Sequence, residues 1–217
     1  MRDFPMFTTE NGVASLRFRE VPYKGIAYIT LQDSLQPEKL LQECIEFSRA
    51  VGAEKIYATG NPVLEKYPLH TAVWRMSRLC DGIGETNAAL FPVTEKTVEH
   101  WRSVYNEKMR DIPNAATMTK EDGDELVKRG GGYFVHRDGQ LLGIGIVREN
   151  TVDAVAAAKS GAGADVMLAL CSAVYSESVF LEVASTNLRA VKLYERLGFV
   201  KIQEISCWYD VGKISFD

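Results

Sequence analysis

Residues 181–199 read Leu181-Glu-Val-Ala-Ser-Thr-Asn187-Leu-Arg-Ala190-Val-Lys-Leu-Tyr194-Glu-Arg-Leu-Gly198-Phe199, and this stretch decides the fold class. Leu181, Glu182 and Val183 alternate apolar and polar, as a strand does, so Glu182 points to the sheet face opposite its neighbours. Asn187 stands where a helix N-cap is wanted, since its side chain can accept a free backbone N–H. Ala190, Val191 and Tyr194 then share one helical face. Gly198 is placed as the left-handed stop of that helix. A strand, a capped helix and a stop within 19 residues point to an α/β protein.

Outward from this block the alternation continues. Downstream, Phe199 to Tyr209 reads as a last strand. Upstream, Ser178–Ala184 is a strand, and a helix runs from about Ala164 to Tyr175 behind a glycine-bearing turn. Thr151 to Ala158 is a strand of small residues, and Tyr133–Arg137 with Gln140–Val147 forms a hairpin around Asp138-Gly139. Gly143 and Gly145 inside the return strand mark a bulge or a close backbone approach. Thr94 to Met109 reads as an amphipathic helix, with Thr94 and Thr97 as early caps. In the first 90 residues, Val13–Val21, Ile26–Leu31 and Lys55–Thr59 read as strands, and a helix from Pro37 stops at Gly52. The stretch around Trp74 looks helical, and Asp81–Gly84 reads as a linker. The expected domains are therefore 1–90, an αβ half-domain, and 91–217. Pro37–Asn61 and Ala164–Asn187 share a helix, strand and Asn pattern over 25 and 24 residues, which suggests a partial internal repeat.

Composition narrows the function classes. The chain has 217 residues, 46% of them hydrophobic and 10% aromatic, enough for a sizeable core and too many for disorder. Its formal charge of −4 lacks the basic excess of a phosphate-tracking nucleic-acid binder, so no nucleic-acid partner is expected. No apolar run approaches the roughly 20 residues of a membrane span, and Met1–Gly12 has no apolar signal-peptide segment. Cys44, Cys80, Cys171 and Cys207 are far apart and read as reduced thiols of a cytoplasmic protein. His70, His100 and His136 are isolated, so no metal is expected.

The chemistry is expected at Lys159-Ser160-Gly161-Ala162-Gly163-Ala164-Asp165. A glycine-bearing turn at a helix N-terminus aims free N–H groups and the positive end of the helix dipole at one point, which suits a pyrophosphate. Lys159 adds a charge. Taken alone, the turn reads more readily as an ordinary strand-to-helix connection, because glycine spacing this short is common. The Asn187, Ala190, Tyr194, Gly198-Phe199 series, with this turn upstream, resembles the GNAT acyl-CoA N-acyltransferases over roughly residues 94–217. The resemblance implies a GNAT-like fold with acetyl-CoA as cosubstrate and an acetyl group passed directly to a primary amine. It departs at Ala158, where Gln or Arg is usual, and at Asp165, whose carboxylate competes with phosphate for the helix N–H groups.

The same resemblance implies the remaining roles. Backbone N–H groups near Val155 hold the thioester carbonyl, the turn Lys159–Asp165 holds the pyrophosphate, and Asn187 touches the cofactor arm besides capping its helix. Glu182 accepts the proton of the amine, as in the branch that acetylates protein N-termini, and Tyr194 protonates the departing thiolate. The donor is competent: a phenol of pKa about 10 faces a thiol near 8.5. A small-molecule or peptide amine is the expected acceptor, and a homodimer is compatible with this reading. Its rivals are a catalytically inactive GNAT-fold binding module and a nucleotide-binding α/β protein built on Gly161-Ala-Gly163; the latter lacks a third glycine, since Val166 stands there.

Overall fold

A computed structural model describes residues 5–82 and 84–213. Its strands are β1 (Met6–Thr9), β2 (Gly12–Arg17), β3 (Ile26–Ser34), β4 (Lys55–Thr59), β5 (Leu69–Leu79), β6 (Ala89–Pro92), β7 (Gly132–Arg137), β8 (Gln140–Arg148), β9 (Thr151–Ala157), β10 (Ser178–Ala184) and β11 (Val200–Asp210). The helices are α1 (Val21–Lys24), α2 (Pro37–Ala50), α3 (Val98–Met109), α4 (Lys120–Arg129), α5 (Gly163–Cys171) and α6 (Leu188–Arg196). Two compact units result: one runs up to Val73 and resumes at Ile205, and the other is Trp74–Glu204. These units differ from the expected division at residue 90. The chain of the last strand returns to the first unit, and Asp81, Gly82 and Gly84 fall inside the second rather than between the two.

In the first unit the strand order is β1-β2-β3-β4-β11. β1, β2 and β3 are antiparallel neighbours, and β3 and β4 are parallel, joined through α2. Leu40, Leu41, Cys44 and Ile45 of α2, spaced to share one face, bury against Leu16, Ile29, Leu31 and Ile56 of the sheet. The alternate residues Tyr28, Tyr57 and Trp208 pack together on the other face.

The second unit repeats that plan with additions. Its order is β10-β9-β8-β7-β6, with β5 beside β10. β7, β8 and β9 are antiparallel neighbours, and β9 is parallel to β10 through α5. Two antiparallel strands, a crossover helix and a parallel strand thus occur in both units, as the Pro37–Asn61 and Ala164–Asn187 pattern suggests. Val166, Met167 and Leu170 of α5 and Val191 and Tyr194 of α6 form one core with Leu142 and Leu181, while Trp101, Val98 and Leu126 of α3 and α4 form another with Phe134, Ile144 and Ile146.

Gly143 and Gly145 explain how closely α5 approaches. A Cβ on Gly143 would lie 2.8 Å from Val166 Cγ2, and one on Gly145 would lie 2.7 Å from Leu170 Cδ2. Both glycines are therefore places of close approach, and α5 seats directly on bare backbone.

Three expectations fail here. The stretch around Trp74 is the strand β5, not a helix: Thr71, Val73 and Trp74 favour a pleated surface, and the helical spacing of Ala72, Met76 and Leu79 is overridden by neighbouring strands. Helix α5 ends at Cys171 rather than near Tyr175, because Ser172 Oγ turns back to the Ala169 carbonyl. Helix α4 was not expected. It is announced by a capping box in which Thr119 and Asp122 satisfy each other's backbone N–H groups. Among the described residues no helix is long and apolar enough to cross a membrane.

Candidate functional site

The site lies within the second unit and begins where two parallel strands part. β9 and β10 pair only at Phe180↔Thr151 and Leu181↔Val152. In the first unit the corresponding β3 and β4 pair five times, from Ile26↔Lys55 to Thr30↔Thr59. Beyond Val152 and Leu181 the facing edges of β9 and β10 have no strand partner, and backbone N–H groups there are available to a ligand.

A bulge marks the point of parting. Val147 pairs with Val152 and Ile146 with Ala154, which leaves Asp153 without a partner on β8. The Ala158 N–H donates to the Leu142 carbonyl of β8. By strand alternation, the N–H groups of Val155 and Ala157 then point the other way, into the opening. Val155, the expected thioester-binding position, is thus one of the two residues whose N–H groups face away from β8.

The turn after β9 follows. Ala158 and Lys159 N–H groups share the Leu142 carbonyl, and Ala162 N–H donates to Lys159 O. The N–H groups of Ser160, Gly161, Gly163, Ala164 and Asp165 have no hydrogen-bond acceptor among the described residues. Gly161 has φ +84° and nothing within 4 Å of a would-be Cβ, so the left-handed conformation is required while the space in front stays open. Gly163 lets α5 meet α6: a Cβ there would stand 2.9 Å from Leu193 Cδ2. The equivalent turn of the first unit is filled by its own chain, since Leu35 and Gln36 N–H groups both donate to Asn11 O, at 3.0 and 3.2 Å.

The turn's charged side chains are already engaged. Lys159 Nζ donates to Gln140 Oε1 at 2.8 Å. Asp165 Oδ2 is 3.0 Å from Arg137 Nη1, and Thr86 Oγ1 donates to Asp165 Oδ1 at 3.1 Å. The carboxylate expected to compete with a phosphate thus has a cation and a hydroxyl donor beside it.

Two expected side chains lie on opposite faces of the sheet. Leu181 and Val183 enter the core beneath α5 and α6, so Glu182 is exposed on the far face. Phe180 shares that face, with the Arg75 guanidinium 4.9 Å from its ring centroid. Tyr194 lies on the α6 side, 7% exposed, edge-on to Phe199 at 6.0 Å. Burial, followed by the neighbouring Cys171, pushes its hydroxyl up to about 12, so it stays protonated. That hydroxyl has no hydrogen bond to the described residues. Cys171 is buried, and burial pushes its thiol up to about 12, which removes it as a nucleophile. Asn187 is the N-cap of α6: its Oδ1 accepts the Ala190 N–H at 3.3 Å.

Asp153 is the residue that sequence reasoning missed. Partial burial raises its carboxyl pKa against the opposing pull of Arg148, whose Nη1 is 3.0 Å away. One register step beyond the last pair, it stands on β9 as Glu182 stands on β10. A lone carboxylate among the small residues of Val152–Ala157 was the available signal. Among the described residues no group of three or more His, Cys, Asp or Glu is placed to hold a metal.

The same fold occurs in solved structures. A GCN5-related N-acetyltransferase from Sphaerobacter thermophilus superposes over 94% of this chain and 78% of its own, with TM-score 0.57 and 11% identity. The chain has the GNAT fold. A conserved protein of unknown function from Staphylococcus epidermidis matches over 96% of this chain and 93% of its own, with TM-score 0.58 and 11% identity. A tandem GNAT protein from the clavulanic acid biosynthesis pathway, solved without AcCoA, covers 95% of this chain and 80% of its own, with TM-score 0.51 and 11% identity. No family model matches the sequence, and no curated protein matches it.

Proposed function

We propose that the chain is an N-acetyltransferase that binds acetyl-CoA in its second unit and passes the acetyl group directly to a primary amine. The observation that carries this reading is the coincidence of two open features at one place: strand edges parted after Val152 and Leu181, and a turn whose N–H groups lack acceptors. The residues fit the group. Backbone donors at Gly161, Gly163, Ala164 and Asp165 suit a diphosphate, and the open edge of β9 suits the amide-bearing arm. The cosubstrate supplies an activated thioester carbonyl.

The chain's own groups do the rest. Val155 N–H, on the open edge, donates to the thioester oxygen and meets the negative charge that develops there. Glu182 takes a proton from the ammonium of the acceptor so that its nitrogen can attack. Tyr194 gives its proton to the departing sulfur. Glu182 and Tyr194 lie on opposite faces of the opening, so the amine approaches from one side and the thiol leaves on the other. Asp153, tied to Arg148, is the second carboxylate within reach of the incoming ammonium.

The first unit shares the topology but not the opening, so one acetyl-CoA is bound per chain. The test is thiol release from acetyl-CoA with a panel of primary amines, including a peptide α-amine. Tyr194→Phe lowers kcat by roughly 10²- to 10⁴-fold while leaving acetyl-CoA affinity unchanged. Undiminished turnover in that variant removes Tyr194 from the mechanism.

A further inference from the structure

The turn that opens α5 offers little side-chain help to a diphosphate. Ala158 brings no side-chain donor, Lys159 brings a point charge held on Gln140 by one exposed hydrogen bond, and Asp165 places a carboxylate in the first helical turn, beside the free N–H groups. Both tethers come from one hairpin. Arg137 and Gln140 face each other across the Asp138-Gly139 turn of β7 and β8. Gln140 holds Lys159 at the start of the turn, and Arg137 holds Asp165 at its end.

We propose that Arg137 is the diphosphate-recognising side chain of this site, stored on Asp165 until the ligand arrives. The inference rests on the acyl-CoA reading above and deepens it. The Arg137 and Asp165 side chains are 40% and 30% exposed, and an ion pair so open to water contributes little, so the guanidinium can leave at small loss. A diphosphate offers it more negative charge and a planar two-point contact, which an arginine matches better than a lysine does. Asp165 keeps its hydrogen bond from Thr86 after the exchange. The carboxylate then opposes the incoming charge, so Asp165 lowers affinity and favours ligands with enough phosphate to displace it. Gln140 and Arg137 together make the hairpin the polar wall that the turn lacks.

The test is calorimetric titration of CoA into the full chain and into Arg137→Ala, Arg137→Lys and Asp165→Asn, at several salt concentrations. Arg137→Ala weakens CoA by roughly 10- to 100-fold, the range of one hydrogen bond to a charged group. It also flattens the dependence of affinity on salt. Arg137→Lys recovers part of the loss. Asp165→Asn tightens CoA by about two- to fivefold, as expected for removing a like charge at a helix N-terminus. A structural brace predicts the opposite sign, because breaking the pair from either side would loosen the turn. Weaker CoA binding by Asp165→Asn, or an unchanged affinity in a folded Arg137→Ala, overturns the proposal. Should Arg137→Ala fail to fold, Arg137→Lys and Asp165→Asn carry the same comparison. Absence of CoA binding by the unaltered chain overturns the acyl-CoA reading and this inference with it.

Discussion

Gly145→Ala tests whether the seat of α5 positions the site. The new Cβ would lie 2.7 Å from Leu170 Cδ2 and 2.9 Å from the Ala154 carbonyl, with Leu170 Cδ1 closer still. Carbon atoms in ordinary contact stand about 3.5–4.0 Å apart, so α5 must withdraw by roughly 1 Å or Leu170 must leave its rotamer. Overpacking of this kind costs about 1–3 kcal/mol, and removing a glycine from a strand returns about 0.5–1 kcal/mol. A net loss of about 1–2 kcal/mol corresponds to a fall in Tm of roughly 2–8 °C for a chain of this size. The assay is thermal and urea unfolding of the variant alone and together with Leu170→Ala. In the Leu170→Ala background the side-chain clash is gone and only the approach to the Ala154 carbonyl remains, so the added methyl should cost clearly less than in the unaltered chain. Equal destabilisation in both backgrounds would refute the packing argument. A withdrawn α5 also carries its N-terminal turn away from β9, so acetyl-CoA affinity should fall in the single variant and return in the double.

Alkaline pH should weaken the fold. Cys44 and Cys171 are 0% and 3% exposed, and burial pushes both thiols from 9.0 up to about 12; Tyr194 rises from 10.0 to about 12. Below pH 9 these groups are protonated folded or unfolded and the stability is intact; above it only the unfolded thiols ionise, so stability falls by about 1.4 kcal/mol per thiol at pH 10. Urea midpoints at pH 8 and pH 10 measure this, and Cys171→Ala should shrink the difference; a flat response would mean the thiols are not shielded. Glu182→Gln should flatten the acidic limb of the pH–rate profile while Asp153→Asn leaves it in place, and the reverse pattern would assign the base to Asp153. Asn187→Ala should cost about 0.5–2 kcal/mol as a lost cap; a smaller loss with a large drop in acetyl-CoA affinity would give Asn187 a ligand contact instead.

What was legible in the sequence was what is local. Residues 181–199 carry their own punctuation, in the Asn187 cap and in Gly198 with its φ of +85°, so the strand, helix and stop could be read one after another. The bare backbone at Gly143 and Gly145 was equally readable as a close approach. Nothing local marks where β9 and β10 part, because that depends on a bulge at Asp153 and on a partner strand joined through α5. The limits of the two units were hidden for the same reason: Ile205–Asp210 belongs with β4, from which it is far removed in sequence. Helix α4 was obscured by Lys120-Glu-Asp-Gly-Asp-Glu125, whose charge and central Gly123 mask the buried Leu126. The surroundings of the Asp165 carboxylate were not legible either, because Arg137 and Thr86, which hold it, come from other parts of the second unit.

Calorimetric titration of acetyl-CoA into the unaltered chain and into Gly161→Val tests the central claim most directly. Gly161 holds φ +84° in an open turn, so the substitution strains the backbone of that turn while sparing the core. The account predicts saturable binding of one acetyl-CoA per chain, weakened at least about tenfold by Gly161→Val, which amounts to about 1.4 kcal/mol. No binding, two sites per chain, or an affinity indifferent to Gly161 would contradict it.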